Sequence, residues 1–135
     1  MNMMESQRIG NEFYQNLGKL FYAVAMADQS IHAKEMDTLR EEVRSYWLQV
    51  DAVEDEFGTD AAFQIETVFD WLLEYGKDSG SCFDDFATFY QEHHEKFSPK
   101  VKRLVMDTAH AIAAAFARKN KSELIILAKL KLLLQ

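Results

Sequence analysis

Apolar residues recur along this chain at intervals of three and four, the repeat of a helix with one buried face. Ile9, Phe13, Leu17, Leu20 and Val24 form one such stripe; Met36, Leu39, Val43, Tyr46 and Val50 form a second, with Trp47 beside it. Ile65, Val68, Phe69, Leu72 and Tyr75 predict a third helix, and Phe83, Phe86, Phe89 and Tyr90 a fourth, closed by Phe97. Ser98-Pro99 opens a fifth, with a hydroxyl at the cap and a proline at the first helical position, where its missing N–H is harmless. That helix continues through Val101, Leu104, Val105, Ala109, Ile112 and Phe116. Ser122 caps a sixth, Glu123 to Leu134. The sixth is apolar nearly all round, which predicts a central position; the alternative is an amphipathic segment lying on a membrane through Lys129 and Lys131. The periodicity breaks at residues 51–60 and at Gly76–Ser81, the latter reading as a flexible connector. The predicted fold is all-α, a single-domain bundle of about six helices over residues 1–135.

Composition sharpens this picture. One Pro and five Gly leave little punctuation for β-turns, and 135 residues suffice for one self-sufficient core. The lone cysteine, Cys82, excludes an internal disulfide and suits a reducing compartment. The N-terminal residues lack the apolar core of a signal peptide, and no run reaches the roughly 18 apolar residues of a membrane span. A soluble, cytoplasmic protein without a transmembrane segment is expected. The net charge of −7 is unevenly spread: residues 96–135 hold nine Lys/Arg against two Asp/Glu, and residues 1–95 hold six against twenty. A nucleic-acid surface would bring more arginine than Arg103 and Arg118, with aromatics interleaved, so no nucleic-acid partner is expected. Acidic and basic helices complementing one another, within the bundle or between two copies in a homodimer, account for the asymmetry.

Oxygen and imidazole donors gather where the first helix gives way to the second. Asp28, Ser30, His32 and Glu35 fall within eight residues, and Asp37 follows. Hard divalent cations want several oxygens, and imidazole biases a site toward transition metals. Asp28, Glu35 and His32 are therefore the candidate metal ligands, with a divalent cation as the candidate cofactor. The stretch is not a calcium-binding EF-hand loop, because Ala33 and Leu39 stand where its glycine and its final glutamate belong. Capping accounts for the same residues without a metal: Glu35 suits the positive end of a helix, and Asp28 can accept from free backbone N–H groups.

The two junctions, Ala27-Asp28 and Ala117-Arg118, each follow an alanine-rich helix and precede an apolar one, which suggests two pseudo-repeated helical hairpins. A helix closing at Ala27-Asp28, followed by Glu35 in the first turn of the next, resembles the TerB-like (tellurite-resistance) family. In that family the turn is Ala-Asp-Gly-like, whereas Gln29 stands at the glycine position here. The second junction reads Arg118-Lys119-Asn120-Lys121-Ser122-Glu123, with cations where the family carries acids and Glu123 as the counterpart of Glu35. The resemblance implies a TerB-like helical domain and a non-enzymatic stress-response role exercised through protein–protein interaction with an unidentified partner. Divalent-metal binding or sensing at Asp28 and Glu35 is the alternative.

Other clusters carry less chemistry. The adjacent histidines of Glu92-His93-His94-Glu95 lie about 100° apart on a helix and suit a solvated edge, with His93 near Phe97 or His94 near Tyr90. His110 follows Asp107 by three residues, the spacing of a helical pair with the histidine partly buried. Cys82 would stand near a helix start with no base assigned to it. There is no phosphate-binding glycine loop, His-Glu-x-x-His or nucleophile elbow, so no catalytic residue is assigned.

Overall fold

The computed structural model describes residues 3–27, 37, 41, 61–75, 78–115 and 121–135, with the side chains of residues 3–11, 61–64, 115 and 123 outside that description. All regular structure among the described residues is helical. Five α-helices are described: α1 (Met3–Ala25), α2 (Ala61–Tyr75), α3 (Ser79–Glu92), α4 (Pro99–Ala115) and α5 (Lys121–Leu134), with a 3-10 turn at His94–Lys96. The second predicted stripe, Met36 to Val50, lies outside the described residues, apart from the exposed helical residue Asp37 and its neighbour in kind Glu41.

Helix α1 is the axis of the molecule. It packs against α2, α3, α4 and α5. Six consecutive residues, Leu20-Phe-Tyr-Ala-Val-Ala25, are buried on every side. A helix segment apolar all round belongs inside, and the small Ala23 and Ala25 beside the rings of Phe21 and Tyr22 let neighbours approach it closely. Closest approach occurs at Gly18, where a Cβ would lie 2.9 Å from the Val68 Cβ and 3.1 Å from the Ile65 carbonyl oxygen of α2. Tyr22 of α1 meets Phe69 of α2 edge to face, with centroids 5.7 Å apart.

Aromatic rings hold α1, α3 and the 3-10 turn together. Phe97, buried just after the turn, has its centroid 4.9 Å from both Phe13 and Tyr90 and 6.0 Å from Phe86. Tilted and edge-to-face geometries such as these add to simple area burial. At the rim, Lys19 pairs with Asp85 at 3.1 Å; this half-exposed pair contributes at most about 1 kcal/mol.

Helix ends follow side-chain chemistry. The Ser98 hydroxyl accepts from the Val101 N–H at 3.2 Å, so the predicted cap of α4 is present. Of the expected connector Gly76–Ser81, residues 76–77 lie outside the described residues, and the rest is not a loop. Asp78 accepts from the Ser81 N–H at 2.9 Å, and α3 begins at Ser79, absorbing the Ser-Gly-Ser segment into its first turn. An N-cap aspartate offsets the helix cost of one glycine. Ser122 likewise stands inside the first turn of α5, which starts at Lys121.

The final helix is not central. Leu127, Leu130 and Leu134 are buried, but Leu124, Ile125 and Leu132 are exposed, Leu132 to 71%. Uniform hydrophobicity favours burial without choosing a face, and α1 already occupies the centre. α5 therefore packs as an outer layer against α1 and α4.

Candidate functional site

Asp28, His32 and Glu35, the candidate metal ligands, lie outside the described residues. Among the described residues, no three His, Cys, Asp or Glu side chains converge as a metal site would require. Ala27, immediately before Asp28, lines a cleft of about 340 Å³ with Ser79, Gly80, Phe83 and Asp84 of α3 and Ser122, Ile125, Ile126 and Lys129 of α5. The start of α5 thus lies beside the end of α1.

The other candidate residues separate. His93 ends α3, with its N–H donating to the Phe89 and Tyr90 carbonyls, and its ring lies against Phe89 at 4.7 Å rather than against Phe97. His94 is exposed beside Glu95, with Nδ1 3.9 Å from Oε2, and not against Tyr90. His110 and Asp107 are both exposed, so the expected partly buried pair is not formed. Cys82 is fully buried, facing the interior between α3 and α1 rather than solvent. It lies in the electrostatic neighbourhood of Tyr22. Burial first, then the negative charges of Cys82 and Asp78, push the Tyr22 phenol above its ordinary value. A buried phenol reluctant to ionise belongs to the core rather than to a reactive centre.

The surface of α5 has a clearer character. Leu127, Leu130 and Leu134 turn inward at spacings of three and four, leaving Ile125, Ala128 and Leu132 at the same spacings on the opposite side. Lys121, Lys129 and Lys131 are exposed around them. Between α5 and α4 runs a groove of about 480 Å³, formed by Met106, His110, Ala113 and Ala114 on one side and Leu124, Leu127, Ala128 and Lys131 on the other. Its width comes from alanine: Ala113, Ala114 and Ala128 provide little side chain to fill the space between the two helices. The groove and the cleft at Ala27 flank the exposed ridge of α5, giving one apolar, lysine-rimmed relief across two helices. No described helix is long and apolar enough to cross a membrane.

The sequence expectation placed the final helix at the centre, with an amphipathic segment lying on a membrane as its alternative, and did not mark the α4 side of the groove. The signal that distinguishes a central from an outer helix was present in part: three lysines near a five-residue apolar run are hard to bury, and alanines on both α4 and α5 leave room at their contact. No family model matches the chain, and neither does any curated protein or solved structure.

Proposed function

We propose that this chain is a non-enzymatic, TerB-like stress-response module that acts by binding other protein, with the outer face of α5 and the adjoining α4–α5 groove as its contact surface. The observation carrying this reading is the exposed apolar ridge Ile125–Ala128–Leu132, with recesses on either side and lysines around it. Scattered exposed apolar residues are ordinary, but a contiguous apolar relief with a polar rim is characteristic of interaction sites. A helical segment of a partner could lay its apolar side chains into the groove. The TerB-like assignment and the stress role rest on the Ala27-Asp28 turn and Glu35, and the two-hairpin repeat adds to them.

The test is photo-crosslinking from a benzophenone side chain introduced at Ala128 of the full chain in its host cell. Discrete protein adducts that disappear with Leu124→Asp are expected. Absence of adducts, or adducts indifferent to Leu124→Asp, would overturn the reading. A second reading, a divalent cation held by Asp28 and Glu35 with His32, gains support from the cleft at Ala27, where Asp84 and Ser122 bring further oxygens to the same end. Calorimetric titration of metal-stripped protein with Ca²⁺, Mg²⁺, Mn²⁺ and Zn²⁺ tests it. Saturable heat abolished by Asp28→Ala/Glu35→Ala is its expected outcome, and no heat would remove it.

A further inference from the structure

Every large apolar side chain that remains exposed among the described residues lies on one of two helices: Trp71 and Tyr75 on α2, and Leu124, Ile125 and Leu132 on α5. The two surfaces carry opposite charge. On α2 the exposed Glu74 stands beside Trp71 and Tyr75 in a helix with no Lys or Arg, whereas Lys121, Lys129 and Lys131 are exposed on α5. Among the described residues no extensive packing joins α2 to α5; each packs on α1 instead.

We propose that the chain associates with a second copy of itself, the outer face of α5 on one copy docking against the Trp71–Tyr75 face of α2 on the other. This inference rests on the reading of the α5 ridge as a protein-contact surface and names its occupant. The shapes suit one another. Trp71 and Tyr75, one turn apart, stack at 4.9 Å with their planes 41° apart, forming a broad apolar ledge beside the exposed Glu74. Ile125, Ala128 and Leu132 offer an aliphatic ridge with a low centre at Ala128. Large aromatics against aliphatics at the centre, with charges at the margin, is the usual anatomy of a protein interface.

Charge selects this pairing over the two alternatives. Two α5 faces would bring Lys129 and Lys131 toward their own counterparts, and two α2 faces would bring acid toward acid. Like-charge juxtaposition disfavours both of those arrangements, while α2 against α5 of a second copy places Glu74 among lysines. Such an interface buries the exposed tryptophan, the residue type most often found to dominate binding energy.

Sedimentation velocity on the purified full chain, from about 1 to 200 µM at low and high salt, tests the proposal. A mass rising above the 15.6 kDa monomer with concentration, and less steeply at high salt, is expected. Trp71→Glu and Leu132→Glu should each weaken association by tenfold or more. Mixing these two variants should restore assembly, because the intact α5 of one meets the intact α2 of the other. Lys129→Glu/Lys131→Glu should weaken association, and adding Glu74→Lys should recover part of it. All substituted side chains are exposed, and unchanged helical circular dichroism and melting temperature would verify the fold of each variant. A monomer at every concentration, sensitivity to only one of the two glutamate variants, or failure of the mixture to assemble would overturn the proposal. A monomeric chain that still crosslinks from position 128 to a different protein would overturn self-association alone and leave the α5 contact surface standing.

Discussion

Gly18→Ala tests the packing of α1 on α2 by the sign of its effect. In an exposed helix this substitution stabilises by roughly 0.8–1 kcal/mol, because glycine loses the most backbone entropy on folding. Here the added methyl would stand 2.9 Å from the Val68 Cβ, 3.0 Å from its Cγ1 and 3.1 Å from the Ile65 carbonyl oxygen. Carbon–carbon contact is comfortable at about 3.5–4.0 Å, so relief requires a shift of roughly 0.6–1 Å. A flexible side chain could swing away, but a Cβ and a backbone oxygen cannot. The helices themselves must separate, and α1 is held on its other sides by α3, α4 and α5. Overpacking costs about 1–3 kcal/mol; contacts with a Cβ and a backbone oxygen place this case in the upper part, about 2–3 kcal/mol, so after the propensity gain the net loss is roughly 1–2 kcal/mol. With about 2.1 cal/mol/K of unfolding entropy per residue, the expected fall in Tm is roughly 4–7 °C. Thermal unfolding followed by circular dichroism, with urea titration alongside, measures it. An unchanged or raised Tm would refute the close approach of α1 and α2 at Gly18.

Other contacts give expectations of their own. Phe97→Ala removes the ring shared by Phe13, Phe86 and Tyr90 and should cost about 3–5 kcal/mol in urea unfolding, the largest loss of the set. Asp78→Ala deletes the acceptor for the Ser81 N–H and should cost about 1 kcal/mol, while Asp78→Asn should retain most of the cap. The raised Tyr22 pKa means that the folded state holds the phenolic proton more tightly than the unfolded chain. Its contribution is fully present below the unfolded value near 10 and is lost as pH rises through the folded value, so stability should fall in that alkaline range. Tyr22→Phe should flatten that fall, as measured by urea unfolding at successive pH values; an unchanged alkaline slope would count against the assignment.

Much of the fold was legible where a stripe had a single direction. Phe13, Leu17, Leu20 and Val24 are buried, as their spacing predicts, and so are Phe86, Phe89, Tyr90 and Phe97. Legibility failed where pattern lacked direction. α5 is apolar on most sides, so its sequence could not say which face would meet the core, and the answer depends on α1 having taken the centre. The Gly-Ser run before Cys82 reads as loop by composition, yet one aspartate at position 78 starts a helix there. Tyr75 continues the α2 stripe by spacing but is 65% exposed beside Trp71, because the burial of that helix ends one turn earlier at Leu72. At the candidate site, the acidic junction was conspicuous because chemistry marks it in sequence. The α4–α5 groove was not, because alanines on two helices become a recess only when those helices are brought side by side.

The α5 surface is tested most directly by crosslinking from position 128 in three backgrounds: the otherwise native chain, Leu124→Asp, and Asp28→Ala/Glu35→Ala. Protein adducts that vanish with Leu124→Asp and persist in the double variant are the predicted result. Adducts that survive Leu124→Asp, or none in any background, would contradict a contact surface on α5.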